Sequence, residues 1–452
     1  MAPSFVFQTH DEVINYKGSN TSLDYIDHEL SAGLDSSDAF EGPEKLLEIW
    51  FSDNNVLPEN WNRNGLRAIP LVDIEEMLSL VNCQILSKIS GLNCDAYLLS
   101  ESSLFVYKNK MILKTCGRTT ILSCIPKLAS LISSFVCPQY NEQEFKNIYQ
   151  VFYSHRTFMF PQKQLDTYQS WDNELACLNQ WFDNGKHKSY VLGDQKDAQW
   201  HLYINGMAFE HGDTRLSNRT ATDANIDTTI EIHMTGLDAD VAAQYYMSNS
   251  NNCSNNNNNR PLGKDEDKGH VFGNEILKRT KLDCVLNRGT TLKHDAFAFD
   301  PCGFSSNSIV DGNYYYTVHI TPEQGWSYAS FETNHPCVDL WELLHNVLPL
   351  ANPREFTMVI CSNDNAVLER HDTASATNPS RYAEQLPQTQ TQTQTVSGSG
   401  PTSGNTNGAQ TSFNNNNNNN NNNINNTSNT GTGTGTGTPG INGTHVSINN
   451  TG

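Results

Sequence analysis

Two alternating runs, at residues 104–107 and 111–115, flank Lys108-Asn109-Lys110 and predict a β-hairpin with a three-residue loop. Such a pairing fixes neighbours as well as fold class. With Asn109 at the centre, Ser102 faces Cys116, and facing residues lie about 5 Å apart at Cβ. The hairpin then gathers an acid, Glu101, two hydroxyls, Ser102 and Ser103, and a thiol, Cys116, at one end. A polar strand end with a buried cysteine would have the same pattern.

Further strands are expected downstream. In Tyr314-Tyr315-Tyr316-Thr317-Val318-His319-Ile320-Thr321 the aromatic and β-branched content is high. Its alternation puts Tyr316, Val318 and Ile320 on one face and Thr317, His319 and Thr321 on the other. Another strand is expected over 326–332. A third, starting at Asp227, would carry Asp227, Thr229 and Glu231 on one face, and buried acids of that kind need partners. Phe299-Asp300-Pro301-Cys302-Gly303-Phe304-Ser305 has the Pro/Gly content of a kink that could expose a hydroxyl. Residues 40–51 predict a helix entered through Pro43, with Leu46, Leu47, Trp50 and Phe51 on its apolar face. On that helix Glu44 and Glu48 repel one another, by about 0.2–0.5 kcal/mol. First-turn acids suit the helix dipole, but Glu48 calls for a positive neighbour or ligand.

Composition limits the folded part. Residues 1–37, an Asn-rich insertion at 248–270 and the Gln/Thr, Asn and Gly/Thr repeats of 372–452 cannot bury enough apolar surface to offset the entropy of ordering, and are expected to be disordered. One large core is expected over 38–371. Forty-nine acids against 29 bases give a net charge of −20, which disfavours nucleic acid as a partner. The 11 cysteines fit no metal-ligand spacing. The N-terminus lacks the basic start and apolar stretch of a secretory signal. The most apolar segment, 121–136, is too short and polar to span a bilayer. A cytoplasmic protein with reduced thiols and no membrane partner is expected.

Several catalytic templates are missing: there is no Gly-x-Ser-x-Gly elbow, no phosphate loop and no His pair at zinc-protease spacing. A serine hydrolase using Ser102 and His319 lacks any local signature.

Six segments nevertheless resemble, in order, the eukaryotic S-adenosylmethionine decarboxylase family. They are Phe40-Glu41-Gly42 with Glu44-Lys45-Leu46-Leu47-Glu48, Leu99-Ser100-Glu101-Ser102-Ser103, Leu113-Lys114-Thr115-Cys116-Gly117, Pro301-Cys302-Gly303-Phe304-Ser305, His319-Ile320-Thr321-Pro322-Glu323 and Ser330-Phe331-Glu332-Thr333-Asn334. The resemblance implies an α+β fold, a four-layer αββα sandwich of two antiparallel sheets flanked by helices. It implies a self-processing proenzyme, cut between Glu101 and Ser102, whose two chains stay together and dimerise further. Ser102 becomes a covalent pyruvoyl group, the cofactor, which forms a Schiff base with the substrate amine and acts as an electron sink. The product is the aminopropyl donor for spermidine and spermine synthesis.

By the same resemblance, Ser305 supports the acyl shift, His319 is the base in elimination and Cys116 is the proton donor. Glu41 and Glu44 are acidic active-site residues. Phe40 and Phe299 sandwich the adenine, Glu323 accepts the ribose hydroxyls, and the backbone of Glu101 lines the pocket. Glu48, Asp227, Thr229, Glu231 and Glu332 match a putrescine-activator site, where like charges would raise one another's pKa values unless a dication enters. Cys361 and His155 depart from that pattern, which expects an aromatic and an arginine. A catalytically inactive regulatory paralogue is the other reading, but it should have lost Ser102, Cys116 or His319, and all three remain.

Overall fold

The computed structural model describes residues 43–362, with breaks at 53–56, 147, 159–160, 186, 193–198, 206–227, 248–266, 287–290, 324 and 337–338, and residues 444–446. Phe40, Glu41 and Asp227 lie outside the described residues, as do 1–37 and most of the two segments expected to be disordered.

Sheet one has eight antiparallel strands: β1 (Lys45–Trp50), β2 (Ile85–Ser90), β3 (Cys94–Leu99), β4 (Ser102–Tyr107), β5 (Lys110–Thr115), β6 (Gln150–Arg156), β7 (Lys188–Leu192) and β8 (Trp200–Asn205). Their spatial order is β2-β3-β4-β5-β1-β6-β8-β7. Sheet two comprises β9 (Thr228–Leu237), β10 (Leu292–Ala298), β11 (Phe304–Val310), β12 (Tyr314–Thr321), β13 (Tyr328–Thr333), β14 (Pro353–Ser362) and β15 (Thr444–Val446). Their order is β10-β11-β12-β13-β9-β14-β15.

The sheets face each other and helices cover the outsides. Helices Leu71–Ser79, Cys124–Leu131 and Trp171–Phe182 cover sheet one through a core that includes Leu47, Ile49, Leu113 and Tyr153. Helices Lys268–Thr280 and Leu340–Val347 cover sheet two through Ile232, Val318, Phe331 and Ile360. Capping side chains start three of these helices: Ser170 accepts from the Asn173 N–H, Asp267 from Gly269, and Asp339 from Trp341 and Glu342. Each fully buried Leu, Ile or Phe contributes about 1.5–3 kcal/mol, so the two outer cores carry most of the stability. The apolar cluster between the sheets is smaller. Its centre is Phe105 of β4 stacked on Tyr315 of β12, with ring centroids 4.0 Å apart. Most of the remaining inter-sheet space is lined by buried polar and charged residues.

The predicted αββα layering is therefore present, but four local expectations change. First, residues 45–50 form a strand, not a helix. β1 is central in its sheet and buried on both faces, so Leu46-Leu47 and Ile49-Trp50 show no clean alternation and resemble a helical stripe. Glu44 and Glu48 then stand about 13 Å apart along an extended chain, and the expected repulsion between helix neighbours disappears.

Second, the hairpin loop has two residues, Lys108 and Asn109, and Ser102 pairs with Thr115 instead of Cys116. The loop carbonyls are held from outside: Asn109 O accepts from the Phe51 N–H at 2.9 Å and Lys108 O from the Leu66 N–H at 2.9 Å. Third, Lys268–His270, inside the insertion expected to be disordered, form the first turn of a capped helix. Fourth, Thr444–Val446 of the tail pair with β14, whose outer edge otherwise presents unpaired backbone groups to a segment containing β-branched residues. Strand boundaries shift slightly too: β13 spans Tyr328–Thr333 and β9 begins at Thr228.

Candidate active site

Strand register explains how distant residues meet. Extending the β4–β5–β1 pairing by one residue aligns Glu101, Cys116 and Glu44 in one row at the end of sheet one. The Cys116 N–H donates to the Glu101 carbonyl at 3.2 Å, and Cys116 Sγ donates to Glu101 Oε2 at 3.4 Å. In sheet two, Ser305, His319, Ser330 and His233 form one row across β11, β12, β13 and β9. Thus the 14-residue gap from Ser305 to His319 is a cross-strand pair, and the hydroxyl reaches the ring: Ser305 Oγ to His319 Nδ1 is 2.9 Å.

The two rows meet between the sheets. His319 Nε2 lies 3.1 Å from Ser103 Oγ and 2.9 Å from Thr317 Oγ1, while Ser103 Oγ donates to Asn307 Oδ1 at 2.7 Å. Burial, opposed by the Glu44 carboxylate and reinforced by Lys114, pulls the His319 pKa down to about 4. The imidazole is therefore neutral at physiological pH and able to accept a proton.

Ser102 itself is 3% exposed, and its Oγ has no hydrogen-bond partner. Its backbone has φ +107°, in the left-handed half of conformational space that a residue with a Cβ rarely occupies. Residues held there cost on the order of 1–3 kcal/mol and persist only where surrounding structure imposes them. Here β3 and β5 pin Ser102 on both sides, through Leu99 and Thr115. A buried, unpartnered hydroxyl on a strained peptide next to a carbonyl that already accepts an N–H is an arrangement that breaks with the local rules of folding.

Burial and the nearby carboxylates of Glu101 and Glu44 push the Cys116 pKa well above the usual thiol range, so its sulfur keeps its proton. For Glu44 burial acts in the opposite sense, but Lys114, His319, His233 and the bond from Ser330 prevail and hold it below the usual carboxylate range. Ser330 Oγ donates to Glu44 Oε1 at 2.6 Å and Tyr328 Oη to Oε2 at 3.1 Å.

Deeper between the sheets lies the acidic cluster. Glu332 and Glu231 face each other across β13 and β9. Glu332 takes bonds from Lys114 and from Tyr315 Oη, and Glu231 lies 2.9 Å from His233 Nε2. Burial raises the pKa of Glu332; it acts the same way on Glu231, but there the bond from His233 and the Lys114 ammonium prevail and hold the carboxyl low. Two facing carboxylates cannot ionise with equal ease. Burial works against the charged form of Lys114, but Glu332, Glu44 and Glu231 raise its pKa, so the buried ammonium stays charged. Glu48 accepts from Trp50 Nε1 at 2.5 Å and has Lys110 at 3.9 Å, which supplies the positive neighbour its sequence position called for. Thr229 is buried in β9 and pairs with Cys361 of β14, so Cys361 borders this region.

His155 does not. Alternation along β6 puts Phe152 and Ser154 inside with Glu48 and Leu46, their β1 partners. His155 faces outward, where it bonds Glu174 at 3.0 Å and stacks on Phe158. Its replacement of an arginine therefore has no bearing on the acidic cluster.

The turn from Phe299 to Gly303 places Cys302 beside Glu323. The Phe299–Gly303 turn closes with a 3.0 Å bond from Phe299 N–H to Gly303 O. Its Cys302 is near enough to Glu323 for that carboxylate, after burial, to help push the thiol up to about 12. Phe299 is half-buried with its ring edge-on to Phe297 at 5.0 Å.

Sequence reasoning did not assign Ser103, Thr317, Asn307, Tyr328, Ser330, Lys114 or His233. Thr317 shares a face with His319 and Ser330 sits in a motif, so those two could have been found by register. Tyr328 and His233 are carried by separate strands, with no local signal of their meeting.

The sequence profile of the adenosylmethionine decarboxylase family matches residues 37–399. The S-adenosylmethionine decarboxylase proenzyme of Saccharomyces cerevisiae is 41% identical over 353 residues, 75% of this chain and 86% of its own length. The proenzymes of that name from Drosophila melanogaster and Caenorhabditis elegans are 35% and 32% identical over 72% of this chain, and the matches cover 83% and 77% of those proteins.

Proposed function

Because the chain belongs to the adenosylmethionine decarboxylase family, we propose that the residues gathered between its sheets perform two reactions in turn, self-cleavage and then decarboxylation. The protein is an S-adenosylmethionine decarboxylase made as a proenzyme, feeding aminopropyl groups into spermidine and spermine synthesis. The observation that carries the residue assignment is the strained, buried Ser102 with its free hydroxyl beside a polarised Glu101 carbonyl.

Ser102 Oγ attacks the Glu101 carbonyl carbon, the C–N bond breaks, and the hydroxyl proton passes to the released amine, leaving an ester. The Cys116 N–H, already bonded to the Glu101 oxygen, stabilises the charge that develops there. Ser305 holds the ring of His319. Neutral His319 then takes the Cα proton of residue 102, and the ester leaves as the Glu101 carboxylate. The resulting enamine becomes an imine, which water hydrolyses with loss of ammonia.

Residue 102 fits the pyruvoyl group that results: it is buried, and its hydroxyl gives up no hydrogen bond on conversion. The pyruvoyl carbonyl supplies the electron sink for loss of CO₂ from the bound substrate. Cys116, with its proton retained, delivers that proton to the substrate carbon. Phe299, with Phe40, flanks the adenine, and the aromatic faces also favour the sulfonium. Glu323 accepts the ribose hydroxyls, and Glu44, with Glu41, supplies negative charge beside the substrate's ammonium and sulfonium.

The acidic cluster takes putrescine as an activator, through Glu48, Asp227, Thr229, Glu231 and Glu332. Among the described residues the buried acids Glu44, Glu48, Glu231 and Glu332 outnumber Lys110 and Lys114, and a dication adds positive charge in a space where unpaired charge is costly. The nine free cysteines among the described residues support a reducing, cytoplasmic location. Among the described residues no helix is long and apolar enough to cross a membrane. The two chains made by cleavage remain one heterodimer, because β3 and β4 hold each other on either side of the cut, and that unit dimerises further.

Cys116→Ala tests the assignment of the proton donor. Processing continues in this variant, but turnover slows, and misplaced protonation converts the pyruvoyl to alanine at position 102 during incubation with substrate, visible by mass. Full activity would remove Cys116 from the mechanism.

A further inference from the structure

His233 is a buried histidine that the proposed chemistry leaves unused. It projects from β9 into the inter-sheet space, with Nε2 2.9 Å from Glu231 Oε2 and Nδ1 2.5 Å from Tyr328 Oη. Tyr328 Oη in turn donates to Glu44 at 3.1 Å. Glu231, His233, Tyr328 and Glu44 are all buried, so they form an unbroken chain from the acidic cluster to the active-site carboxylate, with its ends shielded from water.

The number of protons in this chain is constrained. Both ends are carboxylates, which accept only, so three links require three protons. Tyr328 has one and gives it to Glu44. The Tyr328 oxygen must then receive from Nδ1, while Nε2 gives to Glu231. Both ring nitrogens can donate only in the imidazolium. We infer that His233 is held as an imidazolium that aims the Tyr328 hydroxyl at Glu44, so that His233 and Tyr328 are positioning residues for decarboxylation. This rests on the reading that Glu44 serves that reaction.

The groups around the ring are of mixed sign. Glu231 faces it from β9, Tyr328 and Ser330 from β13, and Glu44 from the residue before β1. Trp200 of β8 lies edge-on to it, with ring centroids 4.8 Å apart, and Thr357 of β14 is its strand partner. The nearby cations are Lys114 of β5, which acts on Glu231 and Glu44, and Arg156 of β6, which acts on Tyr328. Lys114 and Arg156 oppose a further positive charge. The two carboxylates favour it, and one of them is in direct contact with the ring.

The test is steady-state kinetics on processed enzyme carrying His233→Leu, His233→Gln, Tyr328→Phe, the His233→Leu/Tyr328→Phe pair, or Glu44→Gln, over the pH range in which each variant is stable. His233→Leu and Tyr328→Phe each lower kcat about tenfold with KM within about twofold, since both break the same positioning chain. The double variant falls no further than either single one. His233→Gln, whose amide can donate to one end of the chain, recovers part of the loss, and the alkaline limb of kcat moves relative to wild type. Unchanged kcat in both single variants, multiplying losses in the double variant, or an effect confined to KM would overturn the inference. If His233→Leu fails to accumulate, Tyr328→Phe and His233→Gln carry the same comparison. A Glu44→Gln variant with wild-type kcat would instead overturn the reading of Glu44 itself.

Discussion

At the scale of single residues, the site works by withholding ordinary partners. Ser102 is buried without a hydrogen bond on a backbone that favours glycine, whereas Ser103, one position on, is saturated by Asn307, Thr317 and His319. On the proposed mechanism the strained residue is the one that reacts, and its neighbour holds the base. In His319→Ala the elimination lacks its base, so the protein should stall after the acyl shift. Hydroxylamine should then cut the chain at the ester; an intact amide after that treatment would give His319 another role. The pH dependence has a definite sign. Protonation removes the base, and because burial sets the His319 pKa at about 4, processing should hold its rate from about pH 7 down to about pH 5 and fail only closer to pH 4. A loss centred near the ordinary histidine value would mean a ring less enclosed than the structure shows.

At the scale of elements, the chemistry depends on register, and here the sequence was only partly legible. Alternation was enough for β12, whose Tyr316, Val318 and Ile320 enter the outer core while Thr317 and His319 face inward. It failed for β1, because a central strand covered on both sides has no polar face to show. The hairpin was found but its pairing was one residue off: a two-residue loop moves every facing pair, and the loop is set by Phe51, Leu66 and Gly65, which no local pattern near Asn109 announces. The hairpin reading still brought Ser102 and Cys116 to one end of the hairpin, since Cys116 reaches the row of Glu101, adjacent to Ser102. Gly65 is the residue that fixes this loop. It has φ +55°, and a Cβ there would lie 1.9 Å from Lys108 O. Gly65→Ala should therefore cost about 2 kcal/mol or more and slow processing by loosening β4 against β5. Denaturant titration and the rate of chain cleavage measure the two effects. A variant as stable as wild type would show that the loop is not held where the structure puts it.

At the scale of the molecule, stability and chemistry occupy different layers. Two apolar cores between sheet and helices hold the fold, and this frees the space between the sheets for carboxylates, lysines and histidines that a single-core domain could not tolerate. The proposed consequence is regulation by a small cation. Putrescine at millimolar concentration should accelerate CO₂ release through the cluster of Glu48, Asp227, Glu231 and Glu332, and salt should weaken the effect only modestly, since an enclosed site is poorly screened. Equal rates with and without putrescine, with Asp227→Asn also neutral, would leave the cluster a purely structural network. The central claim, that this fold exists to break its own chain at a strained serine, is tested most directly by the intact mass of the purified active protein. Two chains are predicted, residues 1–101 and 102–452, the second blocked by pyruvoyl at its start, with Ser102→Ala remaining whole. A single uncleaved chain of 50.5 kDa in an active preparation would contradict it.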